Sequence, residues 1–371
     1  MKTKISLILA LILTVSATPV FAINSANNFT LTIDQARQRA VQTNRNLRTL
    51  AENLELSQDA FQRSEDQRLT MPVPNMQALI EAQASSMDAR VGINQQRLES
   101  DILRGTIDFV VANYFANIYM ALNELELYEK NIALMVSELS ILRALVSVGF
   151  SSPSEYQIAA MQKELVIHNR QNLVNAIEQA HIALNRLIGV PLDRRHNLVF
   201  DLSYQDFEEL VVINMTGFIN HQRQTHSNVV QAQSAANVDA FLLENHLVPV
   251  DPMTGLPIPG HTTESERIAQ YRQSSRITAN ARDSIERHIQ DQYIDIRRLE
   301  QNIQTMLIEL EDLNNLIPLL QTQLKVGEIL PIELERHSFT IATLENEIKN
   351  SKLQHNIAVR LFRNPAISYY F

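Results

Sequence analysis

Hydrophobic residues recur every seven positions through a long central segment of the chain. Val111, Ile118, Leu125, Ile132, Leu139 and Val146 form one row, and Ile107, Tyr114, Ala121, Tyr128, Met135 and Leu142 form its companion. Together they make an unbroken a/d seam, and a 3.5-residue apolar period predicts an under-wound helix zipped to a second helix. Adding 178 to these positions reaches a second seam: Ile289, Ile296, Ile303, Leu310, Ile317 and Leu324, with Ile285, Leu299, Met306, Leu313 and Leu320 beside it. One member fails, because Tyr114 maps to Gln292. The same shift carries residues 148–155 onto 326–333, and both read V-G-x-x-x-P-x-E. Seam and turn repeat in register, which predicts two copies of one unit, each a short helix, a long helix, a tight turn and a return helix.

The return helices carry stripes of their own: Ile158, Met161, Leu165, Leu173, Ala176, Ala180, Leu184 and Leu187 in the first copy, Leu334, Ile341, Leu344 and Ile348 in the second. Each long helix is therefore expected to fold back as an antiparallel coiled-coil hairpin. The first long helix has a further apolar row, Met120, Leu127, Leu134, Ile141 and Val148, which predicts a neighbour on a second side. In the second copy that row decays to Arg298, Thr305, Asp312, Leu319 and Val326.

Helix breakers fall between these patterns: Pro72/Pro74, Gly149/Pro153, Gly189/Pro191, the run from Pro249 to Gly260, Gly327/Pro331 and Pro365. They delimit six helical stretches, about 32–70, 75–148, 153–188, 204–247, 263–326 and 331–363. Thr32-Ile33-Asp34-Gln35, Ser152-Pro153-Ser154-Glu155 and Thr263-Glu264-Ser265-Glu266 have the form of capping boxes, in which cap hydroxyl and acid or amide satisfy orphan amides reciprocally. Gly149 and Gly327 are expected to end their helices in the left-handed conformation, and Pro318 to kink the second long helix near its end. The expected fold is all-α, with little or no β-structure: repeat one about 31–190, a linker 191–203, repeat two about 204–363.

Composition narrows the chemistry. There is no Cys and no Trp among 371 residues, and only 8 Gly and 12 Pro. That excludes a disulfide framework, a thiolate metal site and a cysteine nucleophile, and it argues against a turn-rich β-sandwich. The ten His are dispersed, and neither His221/His226 nor His168/His181 has ligand spacing on one helical face. No glycine-rich phosphate loop or nucleophile elbow is present, so neither catalysis nor a cofactor is expected. Lys2 and Lys4, the apolar run Ile5 to Val15 and Val20-Phe21-Ala22 form an export signal, predicting cleavage after Ala22 and a mature domain from residue 23. Without those 22 residues, 30 basic side chains face 41 acidic ones. A surface so acidic, with no basic cluster, is not built for nucleic acid.

An exported chain opening with Leu31-Thr32-Ile33-Asp34-Gln35-Ala36 and Asn46-Leu47, with two V-G-x-x-x-P-x-E turns and Ala183-Leu184-Asn185-Arg186-Leu187-Ile188-Gly189-Val190-Pro191 closing the first copy, resembles the TolC family of outer-membrane efflux proteins. The resemblance covers about residues 31 to 363. It implies a homotrimer whose long helices make a hollow tube in the outer membrane or periplasm, with an adaptor protein joining the helical turns to an inner-membrane pump. By that resemblance Gly149, Phe150, Ser151 and Pro153, with Gly327, Glu328, Ile329 and Pro331, are the adaptor-docking tips. Glu333 and Glu335 are the entrance carboxylates, although Glu335 is one position off and Arg336 holds the place where an acid is expected.

The family's membrane strands have no counterpart here. A membrane-spanning strand takes about 9–11 residues, so a hairpin needs ~20 or more. From Leu69 through Pro74 there are six residues, and the fifteen from Val248 to Thr262 include four prolines, which paired central strands exclude. The closing Ile367-Ser368-Tyr369-Tyr370-Phe371 alternates like a strand but is short. Two readings follow: an efflux conduit protomer, or a barrel-less exported coiled-coil scaffold of the cell envelope without channel activity.

Overall fold

In the computed structural model, residues 29–70, 76–199, 207, 214–246, 253 and 262–364 are described. The export segment 1–22 and the closing residues 365–371 lie outside them. Strand β1 (Phe29–Thr32) leads into α1 (Ile33–Thr43), α2 (Arg45–Thr70), α3 (Met76–Ser147) and α4 (Pro153–Ile188). Strand β2 (His196–Val199) opens the second half, followed by α5 (Met215–Thr225), α6 (Ser227–Glu244), α7 (Glu264–Val326) and α8 (Pro331–Phe362). The two strands pair in parallel, Phe29 opposite His196 through Thr32 opposite Val199, and so place the starts of the two copies side by side. This short pair is the little β-structure that the expected fold allows among the described residues, and β2 lies within the stretch read as linker.

All three capping boxes form. Thr32, Ser152 and Thr263 each accept the amide of the residue three positions on, and Gln35, Glu155 and Glu266 reach back to the cap amide. Two of the expected continuous stretches are each split by one residue. Asn44 is extended (ψ 115°) and its Oδ1 accepts from Leu47 N at 3.0 Å, restarting the chain as α2. His226 does the same between α5 and α6, with Asn228 N donating to its Nδ1 at 3.2 Å. A polar side chain that satisfies the next helix's orphan amides makes such a break cheap, and a one-residue interruption barely disturbs the apolar period. α7 continues through Pro318.

The long helices pair as the seams require. α3 packs on α4 and α7 on α8, while α3 also packs on α8, giving the order α4, α3, α8, α7. None of the seam residues of α3 or α7 is exposed. The extra apolar row of α3 is half-buried from Met120 to Ile141, and α8 is the second neighbour it predicted. The stripe assigned to α4 needs correction toward the turn. There Ile158, Met161 and Leu165 point away from α3, with exposures of 49%, 65% and 60%, and Ala176 is exposed as well. The helix instead turns Tyr156, Ala159, Ala160, Lys163, Val166 and Ile167 inward. The smaller Ala pair permits close approach, which the larger apolar side chains would prevent.

The core lies where the short helices meet the long ones, and it is built twice. Leu47, Ile107, Val111, Ile118 and Leu184 lie in one cluster, and Val229, Ile285, Ile289, Ile296 and Phe362 in the other. Each long-helix member and Leu184 maps onto its counterpart by the shift of 178. Polar ties fasten the packing within each half and between the halves. Asp108 on α3, 6% exposed, takes Arg360 of α8 at 2.9 Å and Arg37 of α1 at 3.2 Å. Glu300 on α7 accepts from Phe207 N at 2.7 Å and from Arg297 Nη1 at 2.7 Å, with His355 Nε2 of α8 3.1 Å from the same carboxylate. Buried carboxylates need such partners, because an unpaired buried charge costs several kcal/mol.

Candidate docking site at the hairpin tips

Each long helix is ended by glycine and each return helix begun by proline. Gly149 adopts φ 80° and Gly327 φ 79°, the left-handed region that an L side chain enters only with strain. The backbone bonds that close the two turns are the same. Gly149 N donates to Val146 O at 3.2 Å and Phe150 N to Leu145 O at 2.9 Å. Gly327 N donates to Leu324 O at 3.2 Å and Glu328 N to Gln323 O at 2.9 Å. This bonding satisfies the last carbonyls of a helix. Pro153 and Pro331 then occupy the first helical position, where no amide is needed.

The two tips stand side by side. Arg336, five residues into α8, donates from Nε to Glu138 of α3 at 2.7 Å and from Nη1 to Glu333 at 3.1 Å. The two carboxylates hold the Arg336 guanidinium above its usual range, with the bond to Glu138 as the main cause. Glu333 is thus ion-paired with its neighbour on the helix, whereas Glu335 is exposed on the adjoining face. Glu155 belongs to the cap. It accepts from Ser151 Oγ and from Ser152 N, bonds that favour its charged form and lower its pKa, the Ser151 hydroxyl most.

Phe150 is the most prominent apolar group of the tips, 83% exposed, with Val148 exposed on the same tip and Val326 and Leu330 on the other. Ser151 and Ile329 are half-buried within the turns. A Cβ at Gly149 or Gly327 would meet no atom within 4 Å, so the tips are open to solvent. All eight residues expected at the tips are therefore gathered at one end of the molecule. Sequence reading missed the Arg336–Glu138 pair, whose members are 198 positions apart. No local pattern links residues at that separation. The only signal was the basic residue standing where the resemblance placed an acid.

By sequence, no protein-family model matches the chain, and no curated protein matches it either. By structure it is similar to the outer membrane protein VceC from Vibrio cholerae, with a TM-score of 0.63 and 11% identity over 89% of this chain and 95% of that one. It is likewise similar to the CmeC outer membrane channel of Campylobacter jejuni, with a TM-score of 0.65 and 11% identity over 96% and 94%. A membrane protein from Pseudomonas aeruginosa aligns at 0.62 with 14% identity over 94% and 97%. With its two long hairpins, its glycine-closed tips and its paired short helices, this chain has the fold of the TolC-type outer-membrane channels.

Proposed function

We propose that this chain is one protomer of an export conduit of the efflux type, a ring of long helices that meets an adaptor protein, and through it an inner-membrane pump, at its paired tips. The observation that carries this reading is a helical wall whose two edges are uncovered toward the tips, beyond the short α5 and α6 that pack on α7. α4 bounds one side and α7 the other, and both present apolar side chains outward. At 1.5 Å per residue, Ile158, Met161 and Leu165 lie about 8 to 18 Å from the tip on α4, and Leu319 and Leu316 about 10 and 15 Å from it on α7. Two such rows at one height suit a head-to-tail contact between copies, and a repeated heterologous contact closes a ring. The resemblance implies three copies, and the solved neighbours, an outer membrane protein and an outer membrane channel, favour a non-catalytic role at the cell envelope. Electron microscopy of the mature protein, with and without lipid, tests it. The expected result is a threefold ring around a lumen; a monomer or a simple dimer without a lumen overturns it.

A second reading is favoured by the connections at the far end. Five residues separate Thr70 from Met76, fewer than one membrane-crossing strand needs. Among the described residues no helix is long and apolar enough to cross a membrane. On this reading, with that connection too short for a strand hairpin, the chain serves as a barrel-less spacer or scaffold of the envelope. Lipid-free particles and no conductance in planar bilayers would favour this scaffold over the conduit.

A further inference from the structure

The two tips share a backbone and differ in chemistry position by position. Phe150 of the first corresponds to Glu328 of the second, Gln157 to Glu335 and Ile158 to Arg336. Over equal windows the contrast widens. Residues 128–169 hold four acidic and three basic side chains, whereas residues 306–347 hold eight acidic and two basic. One of those two, Arg336, is already engaged with Glu138 and Glu333. The first tip thus offers a neutral surface with one large exposed aromatic, and the second offers an uncompensated acidic one.

We propose that the partner meeting these tips is a protein whose contact surface sets an apolar socket, filled by Phe150, beside a basic patch that faces Glu328 and Glu335. This rests on the reading of the tips as a docking site. A second copy of the chain does not fit the place. Its own tips bring the same acidic excess, and like charges brought together oppose association. An exposed aromatic on a rigid turn is the type of anchor that fills a pocket at low conformational cost. Exposed rim carboxylates set the salt dependence of the encounter and the choice of partner.

The test places benzoylphenylalanine at position 150 in one full-length variant and at 328 in another. Osmotically opened cells are irradiated in about 50 mM and about 500 mM NaCl, and the joined partner peptides are read by mass spectrometry. Adducts from 150 are expected among apolar partner residues, with a yield that changes less than about 2-fold with salt. Adducts from 328 are expected within a few residues of Lys or Arg, with a yield that falls about 5-fold or more in high salt as exposed charges are screened. Adducts at both positions with equal salt response and no basic residues near 328 overturn this inference and leave docking intact. Adducts that join tip to tip between copies overturn it as well. Absence of adducts from either position overturns the docking reading itself.

Discussion

The two hairpins of this protein close with the same turn and secure it differently. At the first, Ser152 caps α4 with a complete capping box and Glu155 is drawn into it. At the second, Leu330 holds the cap position of α8 with no side-chain bond, although its backbone angles nearly match. What the turns share is therefore the glycine, the proline and the backbone bonds. The conformation is set by those elements, while the residues between them are free to diverge in charge and polarity. A shape held by backbone chemistry leaves its surface available for recognition.

Substitutions in equivalent positions of the two halves put that equivalence to the test. Ile118→Asp and Ile296→Asp carry the largest expected effect, because both side chains are 1% exposed in their seams. Each is expected to lose about 3–5 kcal/mol by burying an unpaired charge, read by urea denaturation, and the two losses should agree. A clear mismatch would show that the two cores are not equivalent.

Acid distinguishes the halves. His181 on α4 is buried in the first core region, and its counterpart by the shift of 178 is Val359. Burial, with Arg195 and His196 nearby, pulls its pKa from 6.5 down to about 4. The unfolded chain takes up a proton below about 6.5 that the folded chain refuses until about 4. Stability should therefore fall as pH drops through that window, by roughly 3 kcal/mol, and level off below it. His181→Val is expected to flatten this part of the pH profile in thermal or urea melts. An unaltered slope would assign the acid sensitivity elsewhere.

Gly149→Val and Gly327→Val come next. With open space around both positions, the cost is backbone strain alone, about 1–2 kcal/mol in each turn. Circular dichroism should show most helicity retained while tip binding weakens. The smallest effect sharpens the contrast between the caps. Ser152→Ala should cost about 1 kcal/mol, whereas Leu330→Ser should gain up to about as much if a side-chain cap is all the second turn lacks. Equal and negligible changes at both would mean that the capping box adds nothing beyond the glycine and proline.

The seams at Val111–Val146 and Ile289–Leu324, the capped starts, the glycine turns and the duplication were legible from residue types at fixed spacing, because each depends on neighbours within a turn or two of helix. The strands were not. Four residues at Phe29–Thr32 and four at His196–Val199 are ordinary in sequence and become a sheet only by meeting each other 167 positions apart. The α4 stripe failed for a related reason. Apolar spacing marks a face to be covered, and it does not say whether the cover comes from the same chain.

The sequence by itself determined the unit of construction, its repetition and the place of each reversal, since periodicity, glycine and proline act locally on backbone geometry. Tertiary structure alone decided which rods lie side by side, that Arg336 reaches Glu138 and Arg360 reaches Asp108, and which apolar rows are left facing outward. Those outcomes depend on side chains far apart along the chain competing for the same space, and no local pattern ranks the contenders.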